Sequence, residues 1–363
     1  MKVALLGAGH IGQRIARVLH DSGDYRVTVF DQNANALAEL AAEGVGAQVV
    51  GAGLESIAPA LAGQQVLVNA LPYHLAIPAA RMALQAGCHY FDLTEDVAAT
   101  REIKKLASGA RTVFMPQCGL APGFIGIVAQ HLAQSFDSLH EVKMRVGALP
   151  EFPTNALKYN LTWSVDGLIN EYCHPCEAIR DGQAIEVLPL EGLEHFSIDG
   201  IEYEAFNTSG GLGTLCETLA GKVRNLDYKT VRYPGHRDLM QFLLRELQLH
   251  SDQETLKGLL RRSMPATMQD VVLVFVTVSG MKNGSFLQEV FARKIFAERA
   301  GERPLSAIQI TTAAGICAAV DLFRAGQLPQ SGFVAQERVR LPDFLANRFG
   351  SAYEKARQVE TIS

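Results

Sequence analysis

Lys2-Val3-Ala4-Leu5-Leu6-Gly7-Ala8-Gly9-His10-Ile11-Gly12 stands at the start of the chain and decides its reading. Residues 2–6 are a short apolar run suited to a strand buried on both faces, and a helix-period stretch follows over 11–20. Between them Gly7, Gly9 and Gly12 fit the spacing G-x-G-x-x-G. After a strand and at the opening of a helix, that spacing is a dinucleotide fingerprint and not a chance cluster of glycines. Gly7 permits the tight turn, Gly9 lets the backbone approach a diphosphate, and Gly12 lets helix and strand pack closely. The amides of His10 and Ile11, at the positive end of the helix, are then placed for the diphosphate.

Working outward, Asp31 ends the second strand about twenty residues on, where a carboxylate accepts hydrogen bonds from the adenosine ribose and repels a 2′-phosphate. Its neighbour Gln32 brings no positive charge, so NAD is expected in preference to NADP; the plainer alternative is that Asp31 caps the next helix. Strand-like segments over 25–30, 48–50, 66–71, 89–93 and 112–115 alternate with helix-like ones over 33–43, 54–61, 74–86 and 96–107. Alternation of this kind predicts a doubly wound parallel sheet. Asn69-Ala70-Leu71-Pro72, Asp92-Leu93-Thr94 and Gln117-Cys118-Gly119 end three of those strands, at the edge where such sheets bind ligands. Asn69, Ala70, Leu71, Pro72, Leu93, Thr94 and Cys118 are therefore candidate cofactor contacts.

The rhythm breaks after Gly119-Leu120-Ala121-Pro122-Gly123. A helix-like segment over 124–132 leads to strands over 141–146, 184–189, 202–205, 270–278 and 285–296, with Asn283-Gly284 as a hairpin turn. The expected fold class is α/β: a Rossmann doubly wound parallel sheet plus an α+β second domain with a largely antiparallel sheet. The dinucleotide domain is placed at 1–122, completed by C-terminal helices within 307–363, and the substrate and oligomerisation domain at 123–306.

Composition sets the outer bounds. The chain has 363 residues, 48% hydrophobic and 20% charged, enough for two domains with their own cores. Lys+Arg at 33 against Asp+Glu at 38 gives a net charge of −5 with no basic run, which argues against nucleic acid or an anionic membrane as partner. No stretch reaches the ~18 uncharged apolar residues of a membrane span. The first residues already belong to the strand pattern, with no secretory signal, so a cytoplasmic protein with six reduced cysteines is expected. Cys173-His174-Pro175-Cys176 has redox or half-zinc spacing, but the other cysteines are scattered singly. A helix-to-strand turn is the expectation there, and no metal.

Three stretches of the second region are richer in polar, aromatic and glycine residues than packing needs: 159–172, 207–215 and 227–236. Ser209 and Gly210 form a turn whose amides suit a carboxylate, with Thr214 near the start of a helix. Lys229 and Arg232 could neutralise that carboxylate, Arg232 with a bidentate fork.

With the glycine fingerprint, Cys118–Gly123, the segment Thr162-Trp163-Ser164-Val165-Asp166-Gly167-Leu168-Ile169-Asn170-Glu171-Tyr172 and Tyr228-Lys229-Thr230-Val231-Arg232-Tyr233-Pro234-Gly235-His236, the sequence resembles the saccharopine dehydrogenase-like family over roughly residues 1–330. Within that family it looks most like the bacterial L-lysine 6-dehydrogenases. The resemblance implies NAD-dependent oxidative deamination of the ε-amino group of L-lysine to 2-aminoadipate 6-semialdehyde, which cyclises, in a homo-oligomer whose C-terminal helix returns to the Rossmann domain. Asn155-Ala156-Leu157 departs from an expected Asn-Pro-Leu at a turn.

Such a reaction needs a base for the substrate ammonium. His236 is a candidate because its ordinary pKa is near neutrality, and Asp92, at a strand end by the cofactor, is another. Tyr159, Asp166 and Glu171 are candidates to orient the substrate, and the single tryptophan, Trp163, reads equally as core or wall. Two rivals stand. A saccharopine or carboxyspermidine-type imine reductase would need another arginine, Arg145 or Arg180, for a second carboxylate. A silent NAD-binding protein would leave the polar motifs without a task.

Overall fold

A computed structural model describes residues 1–51, 53–300 and 303–354. The chain divides into two compact units, one of Met1–Ile127 with Thr311–Ala352 and one built on Val128–Ile310. The C-terminal span expected over 307–363 runs beyond the described residues after 354.

In the first unit β1 (Lys2–Leu6), β2 (Arg26–Asp31), β3 (Gly46–Val49), β4 (Val66–Asn69), β5 (His89–Asp92) and β6 (Val113–Met115) alternate with α1 (His10–Asp21), α2 (Ala34–Ala42), α3 (Ala76–Ala86) and α4 (Val97–Leu106). All pairings are parallel, and the order is Gly332–Phe333, β6, β5, β4, β1, β2, β3. Continuous apolar runs became strands covered on both faces: every residue of β4 is buried, as is β1 after Lys2. On one face Leu6, Leu67, Tyr90 and Phe114 pack against Ala79, Ala83 and Ile103 of α3 and α4. Each large side chain there contributes roughly 1.5–3 kcal/mol through burial.

Two expectations change. The 54–61 segment forms two 3₁₀ turns, Leu54–Ser56 and Ala58–Leu61, in place of a helix, because Pro59 has no N–H for an i−4 carbonyl. The strand expected over 66–71 stops at Asn69, whose side-chain oxygen accepts from Leu71 N at 3.2 Å and turns the chain before Pro72.

α5 (Phe124–Ala133) carries the chain into the second unit. Its strands are β7 (Ser138–Pro150), β8 (Cys176–Arg180), β9 (Gln183–Val187), β10 (Glu194–Ile198), β11 (Ile201–Asn207), β12 (Val223–Arg232), β13 (Asp270–Lys282) and β14 (Ser285–Phe296). They form an eight-stranded sheet in the order β10, β11, β12, β7, β13, β14, with β8 on β12 and β9 on β8. Among the described strands of this sheet β7 and β12 alone pair in parallel, and β15 (Glu298–Ala300) pairs antiparallel with β16 (Arg303–Leu305) in a separate two-stranded sheet. Asn283 and Gly284 turn β13 into β14 with φ of +52° and +77°, so the expected hairpin is present. The stretch 227–236, read as a polar motif, is mostly strand: β12 runs through Arg232, and a Tyr233-Pro234-Gly235 turn follows.

α6 (Val165–Cys173), α7 (Leu215–Leu219), α8 (His236–Gln241) and α9 (Gln253–Ser263) belong to this unit. Cys173 ends α6 and Cys176 opens β8, as a helix-to-strand turn requires. α10 (Ala307–Arg324) leads back to the first unit, where α11 (Leu341–Ala346) lies. By length and composition α10 could cross a membrane, but it carries Asp321 and Arg324 and 83% of it is buried inside the protein.

Candidate active site

The glycine loop has the geometry its spacing requires. Gly7 takes φ +98°, and a Cβ there would lie 3.0 Å from the Ala70 carbonyl oxygen. A Cβ on Gly12 would lie 2.0 Å from the Gly7 oxygen, so any side chain forces helix and loop apart. At Gly9 a Cβ would meet nothing within 4 Å, which leaves that side of the loop open to a ligand. Gly9 is the N-cap of α1 with no side-chain cap, so the first-turn amides, His10 and Ile11 among them, are free of the capping group most helices carry. This is a cradle for a diphosphate.

Asp31 Oδ2 accepts from Ala8 N at 2.5 Å and Oδ1 from Asn33 N at 2.7 Å. The carboxylate therefore ties the glycine loop to the end of β2, while Asn33, and not Asp31, caps α2. Each oxygen keeps a second lone pair for a ribose hydroxyl. Gln32 is exposed beside it. Asn69 and Thr94 are buried, Ala70, Leu71 and Leu93 half-buried, Pro72 exposed and Cys118 buried, all at or after the carboxyl ends of β4, β5 and β6.

Asp92 is fully buried. Its Oδ1 accepts from Thr94 N at 3.0 Å and Gln117 N at 2.9 Å, and its Oδ2 from the Tyr90 hydroxyl at 2.8 Å. Burial pushes its pKa up to about 6 against the pull of those hydrogen bonds. The expectation of a base is corrected here: no face of the carboxylate is open to a substrate, and its lone pairs hold loops.

The second unit gathers most of the remaining candidates. Arg232, on β12 and buried, donates from Nε to the Tyr172 hydroxyl at 3.0 Å and from Nη1 to Thr230 Oγ1 and Val231 O, both at 2.8 Å. Its guanidinium carbon lies 4.8 Å from the centre of the Tyr159 ring and 5.8 Å from that of Tyr172. Burial opposes its charge, but Tyr172, Tyr159 and Glu171 outweigh burial and hold its pKa above the usual value. Tyr172 in turn donates to His236 Nε2 at 3.0 Å, and His236 Nδ1 lies 2.8 Å from Leu157 O. A carbonyl only accepts, so Nδ1 carries the ring proton and Nε2 receives the tyrosine proton.

His236 is 1% exposed, and burial, then Arg232, lowers its pKa to about 3. It is neutral, with both nitrogens engaged, and the base expected there is instead the end of a chain that orients Tyr172 and Arg232. Glu204 completes the support: its carboxylate accepts from Gly235 N at 2.8 Å and Arg237 N at 2.6 Å and fixes the turn before His236. Sequence reading missed Glu204, which reads as one polar residue of a strand.

Trp163 is partly wall and partly clamp, donating to the Tyr159 hydroxyl at 3.0 Å and pressing on Gly167, where a Cβ would lie 2.3 Å from its ring. Ser209 N donates to Glu171 O at 3.0 Å, Gly210 turns at φ +86°, and Gly211 packs where a Cβ would lie 2.2 Å from the Tyr228 ring. Among the described residues, Asn170 Oδ1 and Thr208 Oγ1, beside Glu171 and Ser209, are buried without a hydrogen-bond partner.

Two candidates sit elsewhere. Asp166 is on the outer face of α6, paired with Lys257 at 2.7 Å and Arg261 at 3.2 Å. Lys229 bonds Glu194 Oε2 at 2.8 Å, in a network where Arg145 is held by Glu194 and Asp227. Both expected substrate contacts are corrected to ion pairs within the fold. Arg145 is neutralised twice over, and Arg180 is exposed at the end of β8.

Fold and glycine loop together define a dinucleotide-binding protein of the doubly wound class. Residues 3–114 match the family model "Saccharopine dehydrogenase NADP binding domain" and residues 119–349 "Saccharopine dehydrogenase C-terminal domain"; the chain belongs to the saccharopine dehydrogenase family. The mitochondrial alpha-aminoadipic semialdehyde synthases of Bos taurus and Rattus norvegicus are 20% and 19% identical over 319 residues, covering 81% of this chain. The chain spans 33% of the length of either relative. Among solved structures, the apo saccharopine dehydrogenase (L-Glu forming) of Saccharomyces cerevisiae superposes with a TM-score of 0.76 at 17% identity, covering 94% of this chain and 96% of that one. That likeness establishes the fold, and the residues decide the rest.

Proposed function

We propose that the protein catalyses NAD-dependent oxidative deamination of the ε-amino group of L-lysine, giving 2-aminoadipate 6-semialdehyde that cyclises. The observation that carries this reading is the charge count of the buried cluster. Arg232 has no ion pair among the described residues and keeps Nη2 without a partner, whereas Arg145 is bound by two carboxylates. A cluster with one available guanidinium suits a substrate with one carboxylate. An imine reductase joining a keto acid and an amino acid must hold two, which makes that alternative the weaker one. The names of the relatives, built on aminoadipic semialdehyde and saccharopine, support the same lysine-related chemistry.

In this reading Arg232 takes the α-carboxylate through Nη2, and Tyr159 and Tyr172 fix the guanidinium plane. Glu171, a buried carboxylate beside Arg232, balances that charge and faces an ammonium. Asn170 and Thr208 supply the orphan oxygens to substrate N–H groups. The bound dinucleotide supplies the hydride acceptor. The ε-ammonium loses one proton to solvent and its carbon gives a hydride to NAD, leaving an iminium. Water adds to that carbon and ammonium leaves, so lysine, NAD and water become the semialdehyde, NADH, ammonium and one proton. A homo-oligomer belongs to the same proposal, supported by the edge strand β14, which exposes Phe286, Leu287 and Val290.

The test is a panel of amines and amino acids with NAD at alkaline pH, following absorbance of the reduced cofactor. Turnover of lysine is expected, with little from monoamines lacking a carboxylate. Activity only in the reductive direction, with a keto acid plus an amine, would replace this reading by the imine reductase.

A further inference from the structure

The three loops at the carboxyl ends of β4, β5 and β6 are joined by one buried chain of hydrogen bonds. Leu71 N donates to Asn69 Oδ1 at 3.2 Å, and Asn69 Nδ2 donates to the Tyr90 hydroxyl at 3.3 Å. That hydroxyl lies 2.8 Å from Asp92 Oδ2 and 3.1 Å from Ala76 O, and its single proton is better placed on the carboxylate. Asp92 Oδ1 then receives Thr94 N and Gln117 N, and its main-chain oxygen receives Cys118 N at 2.8 Å. Asn69, Tyr90, Asp92 and Gln117 are each at most 3% exposed, so water does not compete for these bonds.

A second observation shows that the chain imposes geometry. Gln117 is a non-glycine residue at φ +66°, a backbone state that persists where surrounding contacts over-determine it. Its N–H points to Asp92, and the next residue is held from the other side by Gln336, whose Nε2 lies 3.0 Å from Cys118 Sγ and 2.9 Å from Pro116 O. The first loop of the series abuts the glycine loop, since Ala70 O is what a Cβ on Gly7 would meet. The adenosine-side groups, Asp31 and the amides of α1, take no part in the chain.

We propose that Tyr90 and Asp92 are positioning residues of the dinucleotide site, holding the loops at 69–72, 92–94 and 117–118 in one register for the nicotinamide half of the cofactor. Neither touches the cofactor: Tyr90 acts through Asn69, and Asp92 through the amides of Thr94 and Gln117. The proposal rests on the dinucleotide reading of the glycine loop and is independent of which amine is oxidised.

The experiment is a pair of calorimetric titrations, NADH and ADP, on the full-length protein and on Tyr90→Phe. Phenylalanine keeps the ring that stacks on Phe114 at 5.8 Å and removes only the bridging oxygen. NADH affinity is expected to fall roughly 5–10-fold, the effect of one lost hydrogen-bond bridge, with ADP affinity unchanged within about 2-fold. Equal losses for both ligands would mean a general loosening of the fold, and no loss for either would mean that the loops hold themselves; each result overturns the proposal. If Tyr90→Phe folds poorly, the same titrations on Asp92→Asn decide, with the same asymmetry expected at smaller size because the amide oxygen still accepts from Thr94 and Gln117. Failure of the unaltered protein to bind either ligand would overturn the dinucleotide reading itself, and this proposal with it.

Discussion

The glycine loop of the first unit and the arginine–tyrosine–histidine cluster of the second are built by different means. The loop acts through near neighbours: Gly7 answers the Ala70 carbonyl beside it, Gly12 answers the Gly7 oxygen, and Gly9 leaves its side of the loop open. The cluster assembles Tyr159, Tyr172, Arg232 and His236 from separated segments, and its meaning lies in which lone pair meets which proton. A local device tolerates almost no change at a few positions. A distributed one spreads its function over residues that individually look ordinary.

The sharpest break of the local device is Gly12→Ala. With the added Cβ 2.0 Å from the Gly7 oxygen, backbone must move, and a loss of about 2–3 kcal/mol in stability is expected. NADH affinity should fall by at least about 100-fold, since the amides no longer converge on one diphosphate. Calorimetry with the variant at a temperature where it is folded checks this, and near-normal affinity would show that the loop is not the cradle.

The matching break of the distributed device is Arg232→Ala. The fork expected of Arg232 is closed by its bonds to Tyr172, Thr230 and Val231, so a charge-assisted hydrogen bond from Nη2 is what is lost. At about 1.5–3 kcal/mol, KM for the amino acid should rise roughly 10–150-fold while KM for NAD stays within about 2-fold. Equal rises in both constants would make Arg232 a structural residue alone.

The same contrast explains what was legible in the sequence. The order β1, glycine loop, α1 and the parallel sheet follow from short-range periodicity, because each strand is a continuous apolar run between helices. β12 was not legible: 227–236 reads as a polar motif and Lys229 as a substrate contact until the sheet brings Arg145 and Glu194 beside Asp227 and Lys229. His236 looked like a base for the same reason, its lone pair being taken by Tyr172, 64 residues earlier. Gly332–Phe333 pairs with β6 from far along the chain, and two residues carry no periodicity to read. Patterns that close within a turn or a strand are written locally, whereas partners across a sheet are set by topology.

A finer test returns to the loop. Asp31→Arg replaces repulsion of a 2′-phosphate by attraction and also removes the acceptor for Ala8 N and Asn33 N. The ratio of kcat/KM for NAD to that for NADP should swing by about 10–100-fold toward NADP, with some loss of both. An unchanged ratio would mean that Asp31 serves only to tie the loop to β2.

The smallest expected effect sets the two units against each other by pH. His236 ionises at about 3 in the folded protein because of burial and then Arg232, against an ordinary 6.5. Between those values the unfolded chain binds a proton that the native state refuses, so this group's contribution is complete above pH 6.5 and is lost as pH falls toward 3. Asp92 has the opposite sign. Burial raises it from 3.8 to about 6, so the native state binds the extra proton, and its contribution is complete below about pH 4 and lost as pH rises through 6. Asp270, raised to about 6 by burial, acts in the same direction as Asp92 within the second unit. Moving from pH 7 to pH 5 therefore lowers stability through His236 and raises it through the two aspartates. Scanning calorimetry at the two pH values should show His236→Gln losing less Tm on acidification than the unaltered protein, and Asp92→Asn losing more, each by a few degrees. If both variants kept the parent's slope, neither buried group would be titrating in that window, and the neutral state of His236 would need another explanation.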